Sequence, residues 1–148
     1  MNMRYPCIHA CENAQGVKTA MRTAVHRTSG FPASAETVFS ELQKLQTLQK
    51  VAAPWASFVQ VQPNQDTFWK AGIDYAFRFR VFGFLPLGIH RIHVVRFGLS
   101  EGIYTEERND LVPLWNHEII LSAEDEKHCL YTDHVELDAG WKTPAVWL

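Results

Sequence analysis

The stretch that most constrains the fold is residues 113–138, PLWNHEIILSAEDEKHCLYTDHVELD. Two alternating runs, LWNHEIIL and HCLYTDHVEL, flank the acidic segment AEDEK, which is the pattern of an antiparallel hairpin. With Ser122 set opposite His128, Trp115 faces Val135, His117 faces Asp133, Ile119 faces Tyr131 and Leu121 faces Cys129 on one side. The other side carries Asn116, Glu118, Ile120 and Ser122 against His134, Thr132, Leu130 and His128. One face is then apolar except for a histidine opposite an aspartate. A polar pair in an oily sheet face is either a buried strut or the polar part of a pocket.

The chain ahead of this hairpin reads as more strands joined by short turns. Residues 67–82 alternate over a long run, with Trp69, Ala71, Ile73, Tyr75, Phe77, Phe79 and Val81 on one face. Phe68, Lys70, Gly72, Asp74, Ala76, Arg78 and Arg80 fall on the other, so this sheet has one wet face. Strands are also expected at 57–62, 89–97 and 103–108, with GFLPLG linking the second of these to the long run. A first strand at 21–29 precedes Gly30-Phe31-Pro32, and Ser34 then caps a helix in which Val38, Phe39, Leu42 and Leu45 recur at helical spacing. A second short helix, KLQTLQKVAA, stops before Pro54 and leaves Trp55 at its exit. The order is one strand, two helices and six strands, an α+β meander with one apolar face to cover.

At 148 residues this is one domain, and 47% hydrophobic residues against 20% charged excludes a disordered chain. The formal charge of −2 supplies no field for nucleic acid, and the outer cations Lys70, Arg78 and Arg80 are interrupted by Asp74 and lack an aromatic platform. No apolar run approaches the roughly 18 residues of a membrane span. An odd count of three cysteines argues against a disulfide framework and for a reducing, cytoplasmic setting. No metal or other cofactor is expected: Cys7, His9 and Cys11 do not have knuckle spacing, and His90 and His93 lie on opposite faces of a strand. Residues 1–20 show no periodicity and read as a tail outside the domain at 21–148, with Met21 an alternative start.

Several short motifs resemble one superfamily. Phe31-Pro32-Ala33-Ser34-Ala35-Glu36-Thr37-Val38-Phe39 is similar to the start of its first helix. Trp115-Asn116-His117 resembles the tryptophan-x-histidine of a penultimate strand, and Tyr131-Thr132-Asp133-His134-Val135 followed by Gly140 resembles a last strand and turn. Residues 83–90, GFLPLGIH, are similar to a connection in one uncharacterised bacterial branch. The resemblance is to the START-related, or SRPBCC, superfamily of helix-grip proteins. It takes in lipid-transfer domains, birch-pollen-allergen-like proteins and polyketide cyclase/dehydrase-like proteins. It implies a curved seven-stranded antiparallel sheet, two short helices and a long C-terminal helix roofing a cavity of roughly 300–1,000 Å³.

Only the first turn of that last helix, at Thr143-Pro144, falls within the sequence. Either the chain is incomplete, or it is truncated, or a partner covers the sheet; the last two imply self-association or a partner protein. The expected cavity wall is Trp69, Ile73, Tyr75, Phe77, Phe79, Trp115, His117, Ile119, Tyr131, Asp133 and Val135. The leading expectation is binding or transport of a small hydrophobic or amphipathic ligand, such as a lipid, quinone or polyketide-like compound. His117 and Asp133 also admit two other roles, a register-fixing hydrogen bond or the acid–base pair of a cyclase or dehydratase. Neither a nucleophile with its base nor a second carboxylate stands out, so binding is set ahead of catalysis. A third reading is a protein-interaction module docking through residues 141–148.

Overall fold

The computed structural model describes residues 22–62 and 67–138. The expected tail, the turn at 63–66 and the segment after Asp138, including the docking segment and the helix start, lie outside them. The elements run β1 (Arg22–Phe31), α1 (Ala35–Leu42), α2 (Leu45–Ala52), β2 (Ala56–Gln60), β3 (Asp74–Val81), β4 (Leu85–Gly98), β5 (Gly102–Arg108), β6 (Leu114–Ala123) and β7 (Cys129–Asp138). All seven strands form one antiparallel sheet in the order β1-β7-β6-β5-β4-β3-β2. The first strand is therefore carried to the far edge beside the last, and the two helices cross between the two edges of the sheet.

Ser34 does cap α1: its hydroxyl accepts from Thr37 N–H at 3.2 Å. The helices are eight residues each, too short to persist alone. They are tied down at their junction, where Leu45 N–H donates to Thr67 O at 2.9 Å and Trp69 N–H donates to Gln43 O at 2.9 Å. Beneath them Leu45, Phe58, Tyr75, Phe77, Phe79, Ile92 and Val94 form the main core. A smaller core of Val112 and Leu137, with Trp115 and Val135 packed against it, lies along β6 and β7.

Three local features depart from the alternating pattern. The long strand expected at 67–82 is broken, because Gly72 turns the chain at φ +79 and β3 begins only at Asp74. Residues 67–69 leave the sheet for the helix junction and bring the Trp69 ring over Tyr75, with centroids 4.8 Å apart. In β4 the register shifts between Val94 and Arg96, so that Val94 is buried and Val95 is left 44% exposed. The GFLPLG link is mostly strand, since β4 already starts at Leu85.

The hairpin of β6 and β7 has Ser122 opposite Leu130 rather than His128. The loop keeps the expected five residues but is displaced by one, to 124–128. The Asp125 carboxylate accepts from Lys127 N–H at 2.7 Å and pairs with His128 Nδ1 at 2.9 Å, and His128 O accepts from two N–H groups. The register moves by two residues, an even step, so every side chain keeps its expected face.

At the β4–β5 turn, Gly102 has φ +79, and a Cβ added there would come within 2.9 Å of Ile119 O. A Gly102→Ala substitution is expected to cost more than about 1 kcal/mol in urea denaturation, through backbone strain and displacement of β6 together.

Candidate functional site

β5 positions the site. Ile103 is buried and faces the helices, so the two-residue period carries Thr105 and Glu107 onto the same inner face. Thr105 lies directly across from His117 on β6, and Glu107 lies across from Ile92 on β4. His117 in turn faces Val135 rather than Asp133 on β7. Asp133 is two pairs further along, across from Ile119, and the bond is made on the diagonal: His117 Nε2 lies 2.6 Å from Asp133 Oδ1.

Behind His117 runs a chain of polar groups. Glu107 Oε1 is 3.9 Å from His117 Nδ1 and accepts from the Thr105 hydroxyl at 2.7 Å. Glu107 Oε2 pairs with His90 Nε2 at 2.6 Å. His90 is 1% exposed, enclosed by the rings of Phe58, Phe79 and Trp115. Its other nitrogen, Nδ1, meets Asn109 Nδ2 at 3.3 Å. Asn109 Oδ1 already accepts from the N–H groups of Leu111 (2.9 Å) and Val112 (2.7 Å), so its amino group is the one turned towards the ring. A donor there makes His90 Nδ1 an acceptor. The His90 proton therefore sits on Nε2 and is donated to Glu107.

His117 thus sits between two carboxylates. Burial is the largest single effect on its basicity and acts to lower it. The hydrogen bond and charge of Asp133, together with the charge of Glu107, outweigh burial and raise the pKa above the ordinary 6.5. Burial, with Asp133 adding to it, also pushes the Tyr131 hydroxyl well above its usual value, so it stays a proton donor.

A cavity of about 140 Å³ opens in front of this cluster, between the helices and the sheet. Leu42, Leu48 and Val51 form its helical wall; Ile92, Phe97, Ile103 and Ile119 form most of its sheet wall. Thr105, Glu107, His117 and Tyr131 bring polar groups to it. Of the residues expected in the wall, Trp69, His117, Ile119 and Tyr131 line it, and Asp133 reaches it through His117. Tyr75, Phe77 and Phe79 fill the main core instead. Trp115 and Val135 pack in the smaller core, and Ile73 is 41% exposed because the break at Gly72 takes it out of the sheet.

Sequence reasoning passed over Thr105, Asn109 and Glu107, the last being the second carboxylate, and weighed His90 only as a metal ligand. The signal was the alternation of Ile103, Thr105 and Glu107. The cavity is also smaller than the helix-grip resemblance implied. Among the described residues, no group of three or more histidine, cysteine or carboxylate side chains is arranged to hold a metal.

No protein-family model and no curated protein sequence matches the chain. Solved structures do match it in shape. A START superfamily protein from Mycobacterium smegmatis superposes with a TM-score of 0.58 at 15% identity, over 77% of this chain and 75% of the other. The norcoclaurine synthase of Thalictrum flavum, in complex with dopamine and hydroxybenzaldehyde, gives 0.61 at 10% identity over 93% and 83%. An aromatase/cyclase from a Streptomyces species gives 0.59 at 12% identity over 78% and 67%. The chain has the START-related helix-grip fold. Its sheet order and its pair of helices after β1 are that fold's grip, and the His117 cluster occupies the inner face the helices cover. Among the described residues no helix is long and apolar enough to cross a membrane.

The raised pKa of His117 has a consequence for stability. Because the folded pKa lies above the unfolded one, the cation's contribution is fully present below about pH 6.5 and is lost as pH rises through the folded value. Chemical denaturation across this range is expected to show stability falling above neutrality, with the slope flattened in His117→Gln.

Proposed function

We propose that this protein binds a small hydrophobic or amphipathic molecule, with an apolar portion the size of one aromatic ring or a short acyl segment in the cavity. The cavity itself carries this reading. At about 140 Å³ and walled chiefly by Leu, Ile, Val and Phe side chains, it compares with engineered apolar cavities of ~150 Å³ that take up benzene. The ligand's polar end, a hydroxyl, carbonyl or phenol, meets the Tyr131 hydroxyl as donor and His117 as the group that orients it. Lipids, quinones and polyketide-like compounds all present such an end, and the cluster does not distinguish among them.

Binding of monocyclic phenols and short-chain alcohols, followed by ligand-observed NMR and by native mass spectrometry of gently purified protein, tests this reading. Ile103→Trp, which fills the cavity, is expected to reduce binding by tenfold or more, while the fold is retained by circular dichroism. If no such ligand binds, or if the filled variant binds as well as the parent, the reading falls.

A second reading, acid–base catalysis of the cyclase or dehydratase kind, is favoured by one observation. His117 lies between Asp133 and Glu107 with its pKa raised, as a general acid working near neutrality requires. In that case a ligand identified by the binding experiments is turned over with a near-neutral kinetic pKa. Asp133→Asn shifts that pKa downward, because it removes the strongest influence raising it, and His117→Ala removes it. Absence of turnover leaves binding as the function, and turnover without such a pKa removes His117 as its acid–base group.

A further inference from the structure

At one end of the sheet, four large apolar side chains project from turns into solvent. Trp55 follows α2 and is 68% exposed; Phe82, Phe84 and Leu85, at the β3–β4 hairpin tip, are 57%, 77% and 47% exposed. The cluster is organised: Phe82 N–H donates to Trp55 O at 2.7 Å, and the two rings meet edge to face at 6.1 Å. Phe82 holds φ 53, a left-handed conformation that costs a bulky residue and that asparagine or glycine adopts readily. An aromatic ring is thus kept at a position where both backbone energy and solvent exposure oppose it. Strain of this kind gathers at working surfaces.

The chain segments that carry the tip bring only basic charge to it. The segments that build this end, residues 44–62 and 75–100, contain no aspartate or glutamate. Arg78 and Arg80 are exposed on the hairpin below the tip, Lys50 lies just ahead of Trp55, and none of the three has an ion pair among the described residues. Two acids border this end: Glu41, whose charge interacts with Lys50, and Asp110, which lies against Gly88 on β4. Val59, directly across from Arg78, is 52% exposed and widens the apolar surface.

We infer that the tip formed by Trp55, Phe82, Phe84 and Leu85, with Arg78, Arg80 and Lys50 behind it, docks on an anionic lipid bilayer. The tip is built from the turn after α2 and the β3–β4 hairpin end, and its side chains stand out into solvent. A fluid interface accepts such a protrusion, whereas a protein partner would need a matching groove. Tryptophan and phenylalanine settle at the headgroup level while arginine and lysine engage anionic headgroups. Val51, which lines the cavity wall and is 73% exposed, lies in the last turn of α2, four residues ahead of Trp55 in the chain, so the helical wall of the cavity runs directly into the segment that carries the docking surface. The inference does not rest on the ligand reading: vesicle binding is measured without any cavity ligand, and its failure leaves the cavity reading untouched.

The test is sedimentation of the full chain with phosphatidylcholine vesicles, with and without phosphatidylserine, at low and high salt. Binding is expected only with phosphatidylserine present and is expected to weaken with salt. Phe84→Ser and Trp55→Ser are expected to weaken it by about tenfold or more each, from lost apolar burial in the interface. Arg80→Gln is expected to weaken it by about fivefold, the worth of one cation at such a surface. Phe82→Asn, whose side chain suits the left-handed backbone, is expected to lose binding without any fall in Tm. Absence of binding to phosphatidylserine vesicles overturns the proposal, as does unchanged binding by Phe84→Ser and Trp55→Ser. Light scattering that instead shows a self-association removed by those two variants, with no vesicle binding, overturns it in favour of a second copy as the occupant.

Discussion

The inner face of this sheet is possible only because its polar groups are paired with one another. Glu107 is a largely buried carboxylate, its side chain 10% exposed. Water is replaced by the Thr105 hydroxyl and the His90 N–H, both within hydrogen-bond distance. An unpaired carboxylate in such surroundings costs several kcal/mol, whereas charge-assisted hydrogen bonds of this kind each return about 1.5–3 kcal/mol. The chain of dependence runs further out. His90 serves Glu107 only as the Nε2-protonated tautomer, and the amino group of Asn109 secures it. Asn109 is in turn oriented by the backbone of the β5–β6 loop. A turn on the periphery thus sets the protonation of a ring at the centre.

This arrangement leaves His117 as the adjustable member. His90 is enclosed and committed at both nitrogens; His117 is committed at Nε2 to Asp133 but has Nδ1 only within Coulombic reach of Glu107. Its side chain is 28% exposed and lines the cavity. Of the two histidines, it is the one with capacity left for a ligand. A buried histidine fully satisfied by its neighbours is structural; one held from behind and open in front can bind or transfer a proton.

Much of this was legible in the residue pattern, and the failures have local causes. The β6–β7 pattern gave the right faces with the wrong partners. Side-chain period fixes parity, but the loop fixes register, and the turn bonds of Asp125 and His128 place the five-residue loop one position later than the pattern implies. The long alternation through Trp69 and Ile73 looked continuous because Gly72 fits either a strand or a turn, and only its positive φ separates the two. The extra residue in β4 at Val95 is invisible to any count of apolar positions, because a bulge changes parity without a sequence signature. Glu107 was missed for a different reason. A glutamate in a strand reads as solvent-facing unless its partners are known, and His90 and Asn109 lie at 17 residues and two residues from it in sequence. The superfamily resemblance placed the His117 pair on the covered face but implied a larger cavity than the one formed.

The two walls of the cavity differ in what they can accommodate. The sheet wall is fixed by interstrand hydrogen bonds and by the Asn109–His90–Glu107 chain, so the polar groups it presents have one geometry. The helical wall consists of two eight-residue segments held by packing, by the backbone bonds at their junction, by the Ser34 cap and by one side-chain bond from Gln49 to Phe58 O. Displacing Leu48 or Val51 outward disturbs no polar network, whereas displacing Glu107 or His117 breaks one. Selectivity for a polar group is therefore assigned to the sheet, and tolerance of size to the helices. On the proposed binding function, a ligand larger than the cavity would be accommodated at the helical wall, next to the exposed end of α2, with the hydrogen-bonding geometry behind His117 left in place.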